Sequence, residues 1–242
     1  MKALILAGGR GKRLGKISEG SNKCMIKVFG KPLLEYSLDS VAALDGVTEI
    51  IILVGYRAED IINKYGNSYK NKIIRYVIQW EQMGLVDAIE WAKESIGNED
   101  FILFLGDEFM LNPRHQKMIE QFKNEKLFGF CGVVNVTDKG MIKKTYSVVQ
   151  GKDNRIQKLV EKPKNPANNI MGTGNCIFKN EIFSYIPKTP VNPERGEREL
   201  PDLVGAAIND GKIIKSFIIC DNYINVNTMK ELDLLHSGFS HL

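Results

Sequence analysis

Leu6-Ala7-Gly8-Gly9-Arg10-Gly11-Lys12-Arg13-Leu14 follows directly on a short apolar run that begins after Lys2. Three glycines in four positions let the backbone approach a ligand closely and turn its N–H groups inward, forming an anion-binding hollow at the carboxyl end of a strand. Arg10, Lys12 and Arg13 add positive charge to the same turn. Standing alone, the stretch reads equally well as a glycine-rich turn with solvated basic side chains. Two familiar phosphate motifs are absent: there is no GxxxxGK[ST], and Leu14 stands where a dinucleotide fingerprint needs its third glycine.

Outward from this turn, the first half alternates short β-branched runs with amphipathic stretches, the pattern of a parallel sheet covered by helices. Strands are expected at Lys2 to Leu6, Glu49 to Val54, Ile73 to Gln79 and Phe101 to Leu105. Pro32 suits the first turn of a helix, and Leu33, Leu34, Leu38, Val41 and Leu44 follow at helical spacing. Ala58 to Tyr65 and Leu85 to Ile96 read as further helices, the second stopping at Gly97-Asn98.

Beyond Asp107 the pattern becomes mixed. Helices are expected at Arg114 to Asn124, Leu200 to Asn209 and Met229 to His236. Strands are expected at Phe128 to Val136, Tyr146 to Gln150, Ile156 to Glu161, Gly174 to Phe178 and Ile213 to Ile219. Tyr185 to Glu199 is the longest irregular stretch, a length that more often accompanies function than idleness. No linker or repeat interrupts the chain. The expected fold is α/β, one Rossmann-like domain over residues 1–242 with a mixed, mainly parallel sheet and helices on both faces.

Composition sets the outer bounds. With 43% hydrophobic and 26% charged residues, the chain has the makings of an ordinary globular core. A net charge of +4, spread without a basic run, gives no sign of a nucleic-acid partner but suits a small phosphorylated substrate. Cys24, Cys131, Cys176 and Cys220 are too scattered for a zinc site or disulfide framework. The apolar start at Ala3 to Ala7 is too short for a signal segment, and no stretch approaches the roughly 20 apolar residues of a membrane span. No membrane partner is therefore expected, and the expected compartment is the cytoplasm.

The pattern AGGxGxRL, followed by Lys23 and then Gly30-Lys31-Pro32-Leu33-Leu34-Glu35-Tyr36, resembles the sugar-1-phosphate nucleotidyltransferase family. Its members include glucose-1-phosphate thymidylyltransferases and UDP-sugar pyrophosphorylases, and the resemblance runs from Met1 to about Thr228. It implies a GT-A-type fold, with nucleotide binding in residues 1–110 and sugar-phosphate binding in residues 111–228. The implied reaction joins a nucleoside monophosphate from an NTP to a sugar 1-phosphate and releases pyrophosphate, with Mg²⁺ as cofactor.

The same resemblance assigns roles residue by residue. Leu6, Ala7, Gly8, Gly9 and Gly11 wrap the triphosphate, Arg13 holds the leaving pyrophosphate, and Lys23 neutralises charge near the α-phosphate. Asp107 of Gly106-Asp107 binds the metal; the residue type alone fits either a Mg²⁺ ligand or a turn cap. In Tyr223-Ile224-Asn225-Val226-Asn227-Thr228 the family's second carboxylate ligand is replaced by Asn225, a hard oxygen without charge. Gln79 and Gly84 fall at the spacing of a pyrimidine-binding stretch, since a glutamine amide can pair with the N3–H and a carbonyl of uracil or thymine. UTP or dTTP is favoured accordingly.

Glu161-Lys162-Pro163 matches the family's sugar-phosphate motif, with Lys162 on the phosphate and Glu161 on a sugar hydroxyl. Tyr146, Thr173 and Gly174 are the further sugar-side candidates, while Glu197, Glu199 and Asp202 are read as ordering the long loop. Trp91 reads as core or interface, and His115, His236 and His241, on expected surface helices or the tail, receive no role. Two other readings stay open: a cytidylyltransferase acting on a polyol or amino-alcohol phosphate, and a non-catalytic nucleotide-sensing subunit, kept in view by Asn225. A homo-oligomer is equally open.

Overall fold

The computed structural model describes residues 1–11, 13–15 and 20–238; Lys12 and His241 lie outside them. In chain order the elements are β1 (Lys2–Ala7), β2 (Lys27–Val28), β3 (Lys31–Pro32), α1 (Leu33–Ala42), β4 (Glu49–Val54), α2 (Ala58–Tyr65), β5 (Ser68–Tyr69) and β6 (Lys72–Ile78). There follow α3 (Leu85–Trp91), α4 (Lys93–Ile96), β7 (Phe101–Leu105), β8 (Glu108–Leu111), α5 (His115–Glu125), β9 (Gly129–Asn135), α6 (Lys139–Ile142), β10 (Tyr146–Gln150) and β11 (Ile156–Glu161). The chain continues through β12 (Ile170–Phe178), α7 (Leu200–Asn209), β13 (Ile214–Ile218), β14 (Asn222–Asn225) and α8 (Met229–Gly238).

The centre of the main sheet is the parallel set β7-β1-β4-β6. Strands β1, β4 and β7 are apolar runs because both faces are covered, whereas β6 leaves residues such as Ile73 exposed. Alternation within them assigns each residue to a side. Ala3, Ile5, Ile50, Ile52 and Ile102 pack with Leu34 and Leu38 of α1, Ile61 of α2 and Met118, Ile119 and Phe122 of α5. Leu4, Ile51, Phe101 and Leu103 pack on the other face with Val86 and Ile89 of α3 and Leu203, Val204 and Ala207 of α7.

Past β7 the sheet turns antiparallel. β12 pairs with β7, β9 and β10, and β11 closes that edge against β10. β8 and β14 form a separate two-stranded ribbon over a third apolar cluster that includes Val28, Leu33, Phe109, Val226 and Leu235.

Three expectations are corrected. The helix expected at Leu85 to Ile96 is broken at Ala92, whose N–H bonds back to Ile89 O, a tightened turn that ends α3 before α4 begins. The stretch expected to be irregular from Tyr185 begins inside 3₁₀ turns over Asn180–Lys188, and its remainder is pinned by a bridge between Val191 and Arg198. His115 is not on the surface; it is buried, its ring tilted against Phe104 with centroids 4.6 Å apart, and bonded to Asn175 Oδ1 at 2.8 Å.

Candidate active site

The carboxyl ends of β1, β4, β6 and β7 converge on one cleft. Strand order reverses direction there, since β4 lies on one side of β1 and β7 on the other, which is where open α/β sheets place ligands. Two adjoining hollows, of about 610 and 340 Å³, share Leu6, Gly9, Gln82, Asp107 and Glu197 as walls.

The glycine turn forms the floor. A Cβ on Gly8 would lie 3.4 Å from Gln79 Oε1, and one on Gly11, at φ 64°, would meet Lys23 Cβ at 2.9 Å. Both glycines therefore keep side chains that face the cleft from being pushed aside. Arg10 stands over the Tyr56 ring at 5.9 Å.

Lys23 reaches the cleft because Asn22 fixes its segment. Fully buried, Asn22 donates from Nδ2 to Ala7 O at 3.0 Å and Tyr56 O at 2.7 Å, while its Oδ1 accepts from Cys24 N. Lys23 Nζ pairs with Asp107 Oδ2 and donates to Asn227 Oδ1 at 2.8 Å. Arg13 Nη2 donates to the same oxygen at 3.0 Å, and Asn227 Nδ2 donates to Asn225 Oδ1 at 2.7 Å. Arg13, Lys23, Asp107, Asn225 and Asn227 thus form one connected group. Asp107 is positioned from beneath by Gly106 N, which bonds Leu6 O, and from the side by its own carbonyl, which accepts from Val226 N.

At the other end of the glycine turn, buried Gln79 donates from Nε2 to Asp87 Oδ2 at 2.6 Å. A carboxylate can only accept, so this bond fixes the amide with Oε1 facing Gly8. Gln82 donates to Gly8 O at 2.6 Å. Gly84, at φ 101°, leaves room for Glu197, whose Cβ would lie 2.9 Å from a side chain there.

Glu197 links this cleft to a second group. Arg195 pairs with Glu199 at 2.6 Å, Glu161 at 3.2 Å and Glu197 at 3.5 Å, and Lys162 pairs with Glu161 at 3.4 Å. Burial and the neighbouring Glu199 push the Glu161 carboxyl above its usual range, against the pull of Lys162 and Arg195. Lys162 has φ 41° immediately before Pro163, a left-handed conformation that costs a non-glycine residue about 1–3 kcal/mol. Its N–H bonds Thr145 O at 2.6 Å, which holds it there.

Tyr146 and Thr173, the expected sugar-side residues, lie beneath the cleft. Both are buried: the Tyr146 hydroxyl donates to Thr173 O at 2.8 Å, and Thr173 Oγ1 donates to Gly132 O at 2.9 Å, so their polar atoms serve the core instead of the cleft. Gly174 N donates to Glu108 Oε1 at 2.9 Å, behind Leu105.

Glu108 also accepts from Asn175 Nδ2 and the Tyr223 hydroxyl, and burial raises its pKa to about 8. His115, joined through Asn175, is held neutral by burial with a pKa of about 4. Sequence reasoning missed Asn22, Asp87, Asn227 and this buried network. An asparagine or aspartate in an irregular segment reads as a turn former, and only its partners reveal more.

Among the described residues no group of three or more His, Cys, Asp or Glu side chains gathers as a metal site. The donors that do gather, one carboxylate and two amide oxygens beside cationic side chains, suit a hard ion that takes its remaining oxygens from substrate phosphates.

The nucleotidyl transferase family model matches residues 2–224. The chain is 31% identical over 220 residues to the UTP–glucose-1-phosphate uridylyltransferase AglF of Haloferax volcanii, covering 90% of this chain and 88% of that protein. It is 29% identical over 234 residues to the low-salt glycan biosynthesis nucleotidyltransferase Agl11 of the same organism, covering 90% of this chain but only 60% of Agl11. In fold it matches a UDP-glucose pyrophosphorylase solved with UDP-glucose at a TM-score of 0.86 and 20% identity, over 99% of this chain and 98% of that one. With the glycine turn, the reversed strand order and these likenesses in agreement, the chain belongs to the nucleotidyl transferase family.

Proposed function

We propose that this chain transfers a nucleoside monophosphate from UTP or dTTP to a sugar 1-phosphate and releases pyrophosphate. The observation that carries the reading is the convergence of Arg13, Lys23, Asp107 and the oriented Gln79 amide on one glycine-floored cleft. Residues 1–110 supply the nucleotide end and residues 111–228 most of the sugar-phosphate end.

The reaction is an in-line attack by a sugar-phosphate oxygen on the α-phosphorus. A phosphate monoester is already largely ionised at neutral pH, with its second pKa near about 6, so no side chain has to act as base. The task is to neutralise and align two anions. Gly8, Gly9 and Gly11 bring backbone N–H groups to the triphosphate, Arg13 takes the departing pyrophosphate, and Lys23 compensates charge at the α-phosphate. Asp107 and Asn225 would hold Mg²⁺. Bound there, that ion contributes charge neutralisation and alignment of phosphate oxygens.

Gln79 reads the base. With Nε2 committed to Asp87, its Oε1 accepts from N3–H of uracil or thymine and its second amide hydrogen donates to a carbonyl. The similarity to AglF, a UTP–glucose-1-phosphate uridylyltransferase, supports UTP. Lys162 and Arg195 receive the sugar phosphate, and Glu161 a sugar hydroxyl. Free, buried cysteines suit a reducing cytoplasm, and among the described residues no helix is long and apolar enough to cross a membrane.

Binding calorimetry with UTP, dTTP, CTP and GTP in Mg²⁺ tests the reading. UTP or dTTP should bind at least about tenfold tighter than the others, the worth of one well-made charged or paired contact. Strongest binding of CTP would favour the cytidylyl alternative.

A further inference from the structure

Gln79 and Asp87 come together at the base end of the cleft from two different elements. Gln79 directly follows β6, while Asp87 belongs to α3, whose Leu85 and Ala88 line the same hollow as Gln79 and Gly84. Gln79 is 5% exposed, and its backbone N–H is tied to Val54 O at 2.8 Å. On the helix, the neighbours Val86 and Ile89 are fully buried in the apolar cluster on that face of the sheet. The carboxylate is fixed in place with them.

The two side chains can meet in only one sense. Asp87 Oδ2 lies 2.6 Å from Gln79 Nε2, and an ionised carboxylate accepts without donating. Turning the Gln79 amide over would set Oε1 against Oδ2, two acceptors at hydrogen-bond distance. The atoms left to meet a ligand are therefore Oε1, on the Gly8 side, and the second N–H of Nε2.

Uracil and thymine present a donor at N3 between two carbonyl acceptors, the complement of that pair. Cytosine presents the reverse on the same edge, an acceptor at N3 and a donor at its 4-amino group. Against the amide as held, cytosine sets acceptor on acceptor and donor on donor. Against the turned-over amide it would pair as well as uracil does.

We infer that Asp87 sets the choice of pyrimidine by locking the Gln79 amide in the one orientation that takes uracil or thymine and repels cytosine. Asp87 acts through Gln79 and is a positioning residue. The inference rests on the nucleotidyltransferase reading of the cleft, and it assigns base selection to a residue beyond the pairing amide itself. Discrimination here comes from the orientation that Asp87 forbids as much as from the one it supports. An asparagine at this position can accept from Nε2 or donate to Oε1, so Asp87→Asn, nearly identical in size, allows both orientations and should admit CTP.

Binding calorimetry with UTP, dTTP and CTP in Mg²⁺ on wild type, Asp87→Asn and Asp87→Ala tests this. Asp87→Ala, which removes the carboxylate outright, serves if Asp87→Asn does not fold, and circular dichroism checks each protein. Wild type should bind UTP or dTTP at least about tenfold more tightly than CTP. In Asp87→Asn that ratio should fall to about threefold or less, with CTP bound at least about threefold more tightly than by wild type. A structural fault cannot imitate this pattern, since it weakens all three nucleotides and tightens none.

Pyrophosphate release by the wild type with sugar 1-phosphates is recorded separately. No release together with the expected binding pattern would overturn the transfer reading alone, and release without that pattern would overturn this inference while leaving transfer in place. A wild type that binds CTP as tightly as UTP, a variant that keeps the wild-type ratio, or a ratio that falls only through loss of UTP and dTTP binding would each overturn the role of Asp87.

Discussion

The two ends of the cleft handle positive charge differently. At the proposed nucleotide end Lys23 and Arg13 share one amide oxygen of Asn227, and among the described residues the carboxylate that pairs with them is Asp107. At the sugar-phosphate end Lys162 and Arg195 are enclosed by three carboxylates, Glu161, Glu197 and Glu199. An incoming triphosphate thus meets Lys23 paired with one carboxylate and Arg13 held by a neutral amide, fewer anionic partners than at the other end. A sugar phosphate must instead compete with carboxylates already in place. On the proposed reading, the lightly compensated group serves the chemical step and the heavily compensated group serves affinity for the sugar phosphate.

The largest effect expected from this contrast is at Asp107. Asp107→Ala should lower kcat by about 10³-fold or more, because it removes the carboxylate paired with Lys23 beside the glycine turn, while circular dichroism shows the fold retained. Near-normal turnover in Mg²⁺ would erase the distinction between the two ends.

At the sugar-phosphate end Lys162→Ala should raise KM for the sugar phosphate by about 10- to 100-fold, the range of one charge-assisted bond, with little change in nucleotide binding. A change confined to nucleotide binding would mean the two phosphate positions are interchanged.

Beneath both ends lies the buried network of His115, Asn175, Glu108 and Tyr223. His115 titrates near about 4 in the fold against 6.5 when exposed. The folded state therefore binds fewer protons in this window, and stability falls as pH drops from 6.5 towards 4. Urea unfolding at pH 7 and pH 5 should show wild type losing about 2 kcal/mol more than His115→Gln over that interval. Parallel pH dependences in the two proteins would contradict a buried neutral imidazole.

The smallest effect belongs to Tyr146→Phe. Loss of the bond to Thr173 O should lower stability by about 1 kcal/mol and leave KM for the sugar phosphate unchanged, since the hydroxyl faces the core. A raised KM would return Tyr146 to the sugar end.

The parallel half of the fold was legible because its strands are apolar runs bounded by glycine, and β4 and β7 fall on the residues expected of them. The β8–β14 ribbon escaped notice: four-residue strands leave no periodicity to detect, and their pairing joins positions more than a hundred residues apart. In the cleft the glycine turn, Lys23, Asp107 and Gln79 could be picked out by residue type and order. Asn22 and Asn227 could not, because what distinguishes them is bonds to distant partners, Ala7 and Tyr56 for the first and Arg13 and Lys23 for the second. The surroundings of Tyr146 were not legible for a geometric reason. Neighbouring strand residues point to opposite faces, and sequence order alone could not show that its ring packs over Gly172 of β12.

Pyrophosphate release from a matrix of NTPs and sugar 1-phosphates in Mg²⁺ tests the central claim most directly. Release is expected only when UTP or dTTP is paired with a sugar 1-phosphate, and it should disappear in Asp107→Ala. No release from any pairing, or release only from CTP with a non-sugar alcohol phosphate, would contradict it.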